Sequence, residues 1–282
     1  MPYSEPDFSR LRTIPVATRR NKVDNSLLAG PPGADRSFTA FLDSLPDVLG
    51  ARELRAVIAS VADAALAHRG VVLLVGGHVI KTGLGPLLNA WIARGVVTHL
   101  ALNGAAAIHD FELAAFGGTS EDVESGLADG SFGMAEETGA EMNAAIVAAS
   151  AREEGMGEGL ARALTSRGDL PGGEASVLVA AHRCDIPVTV HAAIGAEIIH
   201  QHPAADGAAL GATSHRDFRR LAGSLPALDQ GGVVLNLGSA VVLPEVFLKA
   251  LTIARNLGGG KPTHFVAADF DMQRHYRPRV NV

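Results

Sequence analysis

His109, Asp110 and Glu112 form a compact acid/base set in the sequence. An imidazole beside carboxylates can take up and release protons near neutral pH. The plainer reading is a helix first turn whose acids complement the dipole. Lys81, four residues past Gly77, could neutralise a phosphate or, with a lowered pKa, form an imine with a carbonyl. It could equally be an exposed lysine at a helix start. Glu197 lies in HAAIGAEIIHQHPAAD, a stretch that also carries His191, His200, His202 and Asp206. A metal-dependent hydrolase would draw on those three histidines. However, His-Gln-His spacing turns the last two to different sides of a helix and no HExxH occurs, so no metal is expected. Cys184 is read as a small packed residue rather than a nucleophile.

These side chains need a frame, and the glycines point to one. Val71 to Val75 is an apolar run that stops at Gly76-Gly77-His78. A helical pattern follows through Leu84, Leu87, Leu88, Trp91 and Ile92. A second run, Val96 to Leu102, stops at Asn103-Gly104-Ala105. Ile186 to Val190 predicts a third strand, with His191 at its carboxyl end. Val233 to Leu237 predicts a fourth, ending at Gly238-Ser239, and Thr263 to Ala268 a fifth, ending at Asp269. Strands alternating with helices predict an α/β fold, doubly wound around a mainly parallel sheet of Rossmann-like type. Such sheets bind ligands at the carboxyl ends of their strands. Glycine there admits a ligand close to the backbone, and free amides favour phosphate. The usual dinucleotide fingerprint is incomplete: Gly83-Leu84-Gly85 lacks its third glycine, and strand two closes on Asn103 rather than a ribose-reading acid.

Around this core, residues 1–34 read as an arm, broken by prolines at 2, 6, 15, 31 and 32 and by the turn Gly30 to Gly33. Arg19-Arg20-Asn21-Lys22 within it reads as a solvated face, with an anion contact or a subunit clasp as the other option. Residues 35–282 read as a single α/β domain, with a helical insertion over 105–170 that could be a lid, a subunit contact or a plain crossover. A helix over 50–69 should place Leu54, Val57, Ile58, Val61 and Leu66 on one stripe. Thr119 with Asp122, and Ser214 with Asp217, read as capping boxes that open helices.

With 282 residues, 47% of them hydrophobic, and a positive mean hydropathy, the chain can bury a large core. Ten Phe, two Tyr and one Trp leave that core mostly aliphatic. The net charge of −6 and pI near 6.0 argue against a nucleic-acid partner. One cysteine fits a reducing compartment. Neither a secretory signal nor an apolar run of membrane-spanning length is found, so no membrane partner and a cytoplasmic location are expected.

Asn103 to Glu112, followed by Phe116-Gly117-Gly118-Thr119-Ser120, resembles a segment of the NAD-dependent ornithine cyclodeaminase domain of bacterial and archaeal arginine-catabolic proteins. That domain is similar in fold to deoxyhypusine synthase. A looser likeness runs from about 70 to 270, through Ile186-Pro187-Val188 and Val233 to Ala250. The resemblance implies a dimeric or tetrameric enzyme that uses NAD to oxidise a small amine or amino acid transiently to an imine, a cyclodeaminase-like lyase or transferase. It implies that Gly76, Gly77, His78, Asn103, Gly104, Ala105, Gly238 and Ser239 face the cofactor, with Asp269 towards the adenosine. It also implies that Asp110 is the acid near the nicotinamide or the substrate amine. Leu243 stands where the synthase has its imine-forming lysine, which excludes deoxyhypusine synthesis proper. A non-catalytic nucleotide-binding protein of the same fold is the alternative.

Overall fold

The computed structural model describes residues 3–31 and 33–282. Met1, Pro2 and Pro32 lie outside the described residues, and with them part of the turn expected at Gly30 to Gly33. The chain divides into two compact units, Met1–Ala56 and Val57–Val282.

In the first unit no described residue is buried. It holds three short 3-10 turns, helix α1 (Phe38–Ser44) and the first residues of α2 (Leu49–Leu66). Ser37 caps α1 by accepting from the Ala40 amide at 3.2 Å. The Arg55 guanidinium donates to the carbonyls of Leu42 and Leu45, at 2.7 and 2.5 Å, which ties α1 to α2 within this unit.

The second unit is an α/β sandwich. Its strands are β1 (Val71–Val75), β2 (His99–Asn103), β3 (Val188–His191), β4 (Val233–Leu237) and β5 (Val266–Phe270). All are parallel, in the order β3-β2-β1-β4-β5. The four residues of β3 and all of β1 are buried, as expected of strands covered on both faces. Between β1 and β2 lie α3 (Gly77–Lys81) and α4 (Gly85–Ala93). Between β2 and β3 lie α5 (Gly104–Phe116), α6 (Val123–Asp129), α7 (Glu136–Ala151), α8 (Met156–Thr165) and α9 (Val177–Arg183). Then follow α10 (Gly207–Ser224) before β4, α11 (Val242–Leu257) before β5, and α12 (Tyr276–Asn281).

One sheet face, with Val71, Leu73, Val75, Leu100 and Leu102, packs on Leu88, Ile92, Phe111, Leu160 and Leu178. The opposite face, with Val72, Leu74, Ala101 and Val234, packs on Leu221, Phe247 and Leu251 from α10 and α11. The covering helices therefore change sides between β1 and β4, which makes that junction the switch point of the sheet. Register brings three turns level there. Val75 pairs with Leu102 on one side and Leu237 on the other, so Gly76, Asn103-Gly104 and Gly238 leave the sheet along one rim.

Several sequence expectations need correction. The helix expected from Ser214 starts earlier. Asp206 accepts from the amides of Ala208 and Ala209, so α10 begins at Gly207 and Ser214 and Asp217 lie inside it. Asp122, not Thr119, caps α6, accepting from Glu124 and Ser125. β5 is displaced towards the carboxyl end. Thr263 and His264 bond to the turn Asp229–Gly231, and the ladder begins only where Val266 pairs with Val233. On α2, Val61 and Ala64 are the buried positions, while Ile58 and Leu66 are exposed. Cys184 is exposed at the end of α9 rather than packed.

The outer edge of β3 is covered by α10 side chains. Asp217 Oδ2 accepts from Val190 N and from Gly157 N at the start of α8, both at 2.8 Å. Ser214 Oγ donates to the Val190 carbonyl and accepts from Ala192 N. Burial pushes the Asp217 carboxyl up to about 7 against those two amide bonds.

A buried polar chain crosses the sheet from β3 through β2 to α10. Ser224 Oγ donates to the Arg220 carbonyl, so His99 Nδ1 must donate to Ser224, at 2.7 Å. His99 Nε2 then accepts from Thr189 Oγ1 at 3.0 Å, and Thr189 accepts from His191 Nε2 at 3.0 Å. Both imidazoles are neutral: burial pulls each down to about 3.

Candidate functional site

Next to the rim is a cavity of about 590 Å³, within the range of small-molecule sites. Its walls come from Lys81 at the end of α3, the outer face of α5, the loop 117–121, the start of α7 and residues 196–198 after β3. Helical geometry explains which α5 residues reach it. Successive residues are rotated by about 100°, so His109 and Glu112, three apart, share a face while Asp110 is turned inward. His109 and Glu112 line the cavity, and Asp110 does not.

Asp110 is 1% exposed and has a different task. Its carboxylate accepts from Ser176 Oγ at 2.6 Å, Val177 N at 2.8 Å and Leu178 N at 3.1 Å. It therefore receives the first turn of α9, to which Ser176 is N-cap. Burial raises its pKa to about 6, with those three bonds pulling the other way.

Glu112 is held by two hydroxyls. Thr119 donates to Oε2, and Thr138 from α7 donates to Oε1 at 2.9 Å. Thr119 Oγ1 also lies 2.8 Å from His109 Nδ1. His109 is half-buried, and its pKa is lowered first by burial and then by the positive charges of Lys81 and His78. A β-carbon built on Gly77 would sit 3.0 Å from Ala105 Cβ and 3.3 Å from His109 Cδ2. The imidazole thus borders both the cavity and the β1 turn.

Glu197 closes the cavity on the β3 side. Its Oε1 accepts from Ala193 N at 2.8 Å. Its Oε2 lies 3.1 Å from His200 Nε2, near but out of hydrogen-bond alignment. His200 Nδ1 accepts from Gly195 N, which leaves the ring proton on Nε2. Burial raises Glu197 to about 7, so it exchanges a proton near neutrality.

The rim residues fall into two groups. At Gly76 a β-carbon would lie 2.1 Å from the Gly238 carbonyl oxygen, and at Gly104 it would strike the Glu197 carboxyl group. These glycines are required by the protein's own close packing. Gly238, at φ 65°, is different: only Val79 Cγ2, at 3.4 Å, lies within 4 Å of a β-carbon there. His78 and Ala105 are exposed at the rim, and Asn103 caps α5 by accepting from Ala106 N. Ser239 Oγ accepts from Leu243 N at the start of α11. Asp269 lies within β5, one strand beyond the switch point, and accepts from Asn236 Nδ2 at 2.7 Å.

Thr138 and Phe132 complete the cavity without having been singled out in the sequence, and Thr119, expected to open a helix, lines it as well. No local pattern ties Thr138 and Phe132 to α5, because each arrives from a segment distant along the chain. His191 is bonded to Thr189, and His202 packs over Gly139. Among the described residues no three His, Cys, Asp or Glu side chains converge as metal ligands. Among them too, no helix is long and apolar enough to cross a membrane.

No family model matches the chain, and no curated protein does. Solved structures give remote likenesses. ArgZ, an arginine dihydrolase from the ornithine-ammonia cycle in cyanobacteria, aligns with a TM-score of 0.48 and 16% identity, over 80% of this chain and 28% of that one. AgrE in its ternary complex with ornithine and NAD+ aligns with a TM-score of 0.42 and 18% identity, over 81% and 29%. A deoxyhypusine synthase-like protein of Entamoeba histolytica aligns with a TM-score of 0.38 and 13% identity, over 61% and 60%. The chain spans less than a third of the length of ArgZ and AgrE.

Proposed function

We propose that this protein binds a nicotinamide dinucleotide at the rim between β1 and β4 and acts on a small amine or amino acid in the adjoining cavity. One observation carries the reading: three strands end level in glycine turns where the covering helices change sides. In doubly wound sheets that crevice is where dinucleotides lie. The fit is good at the pyrophosphate, where the open side of Gly238 leaves room for close approach. It is incomplete at the sugar, since β2 ends in Asn103, whose side chain is engaged at Ala106 N.

When bound, the nicotinamide would supply hydride acceptance from the carbon that bears the amine. The chain's own residues supply the rest. Glu112, Glu121, Glu137 and Glu197 outnumber Lys81 along the cavity wall, a balance that favours a cationic ligand. Glu197 holds the ammonium when ionised. His109 removes its proton, and Lys81 meets a carboxylate or phosphate. As an enzyme the protein falls with lyases or transferases of the cyclodeaminase kind, working as a homo-oligomer.

The test is calorimetric titration with NAD of the wild type and of Gly238→Ala. The added methyl meets little of the protein, so the fold should survive with a backbone cost of about 1–2 kcal/mol. NAD affinity should fall by about tenfold or more. Absence of saturable binding to the wild type at millimolar NAD would defeat the reading, as would equal affinity in the two proteins. Binding without turnover of any amine would instead favour the nucleotide-binding protein.

A further inference from the structure

The loop 117–121 brings Thr119 back over α5, and its hydroxyl meets two side chains at once. A threonine hydroxyl has one proton, and here it goes to Glu112 Oε2. Its oxygen can then only accept from His109 Nδ1, 2.8 Å away. The imidazole therefore carries its proton on Nδ1 and leaves Nε2 as a lone pair. The Cδ2 edge next to that nitrogen is the one that borders Gly77. Thr138 holds the other oxygen of Glu112, so the carboxylate cannot swing away from Thr119.

We propose that Thr119 is a positioning residue that fixes His109 in the Nδ1–H tautomer and so makes Nε2 a base facing the rim. This deepens the proposed function by assigning its proton acceptor. The step balances simply. A substrate ammonium gives one proton to Nε2, its nitrogen keeps the electron pair, and the imidazolium keeps donating from Nδ1 to Thr119. Glu112, at the far end of the chain, stabilises the charge without taking the proton. Around His109 stand His78 and Lys81 from α3, Glu112 on α5 itself, Glu121 from the loop, Glu137 from α7 and Glu197 from the segment after β3. Burial first, and then Lys81 and His78, lower the imidazole's pKa and so favour the neutral form a base requires.

The experiment is nitrogen-detected NMR of ¹⁵N-histidine-labelled full-length protein, with His109 assigned by His109→Gln. It needs neither cofactor nor turnover, so it is independent of the NAD titration. The wild type should show His109 protonated at Nδ1 and bare at Nε2. Thr119→Ser should keep that pattern, and Thr119→Val should move the population towards Nε2–H. If amine turnover is found, the valine variant should lose about tenfold or more in kcat with KM nearly unchanged, and serine should restore it. Nε2–H in the wild type, or an Nδ1–H signal unchanged in Thr119→Val, would overturn the assignment. Should the valine variant not fold, the wild-type and serine spectra decide it alone.

Discussion

Glu197 is seated on Gly104: a β-carbon there would fall 2.3 Å from the Glu197 carboxyl carbon and 2.4 Å from Oε1. The second rim glycine thus makes room for an acid of the cavity. Gly104→Ala should dislodge Glu197 and overpack the junction, at about 1–3 kcal/mol of stability. Chemical denaturation measures that cost. NMR titration should find the displaced carboxyl moved back towards the ordinary range. An unchanged Glu197 titration would show that the glycine serves another purpose.

Burial lifts Glu197 from 4.5 to about 7, and this has two consequences of definite sign. A cationic amine should bind more tightly as pH rises through about 7 and Glu197 ionises, and Glu197→Gln should flatten that rise. Stability should move the other way. The folded state holds the proton more firmly than the unfolded chain, so Glu197's contribution falls as pH rises from about 4.5 to 7. Denaturation of wild type and Glu197→Gln across that window should show the wild type losing ground.

Asp110→Ala should leave Ser176 Oγ, Val177 N and Leu178 N without their acceptor, at about 1–3 kcal/mol for each orphaned buried donor. The loss should appear in thermal unfolding and in amide exchange at α9. Cofactor affinity should change much less than stability. A stable Asp110→Ala protein that binds NAD normally yet has lost all turnover would restore Asp110 to the chemistry.

Thr189→Val should break the chain across the sheet, leaving His99 Nε2 without its donor and His191 Nε2–H without its acceptor. The expected cost is about 1–3 kcal/mol for each group left unpaired. A thermal midpoint equal to wild type would mean that the two histidines find other partners.

Strands β1 to β4 were legible because a parallel strand covered on both faces is a short, largely apolar run, whereas β5 is partly exposed and was placed too early. The ends of β1, β2 and β4 were legible because glycine or asparagine stands there, whereas β3 closes on His191 and β5 runs on to Phe270. The pairing of His109 with Glu112 follows from their spacing along one helix. Adjacency did not reveal direction: Asp110 neighbours His109 in the chain but faces the core. The two capping boxes failed for a related reason. Thr119 and Ser214 have the right spacing to an acid, yet their hydroxyls are engaged across space, at His109 and Glu112 and at Val190 and Ala192. Thr138 could not be found locally, since its partner lies 26 residues away.

The polar chain from His191 to Ser224 bears on the cavity at a distance. A parallel strand that slipped by one residue would shift by about 3.3 Å and turn its side chains to the opposite face. Thr189 and His191 would then confront leucine and valine, and both imidazoles would lose their partners. The alignment of β3 is thereby locked, and Glu197, six residues beyond its end, inherits a fixed starting point. Where the acid stands in the cavity is thus set by four side chains, none of which lines it.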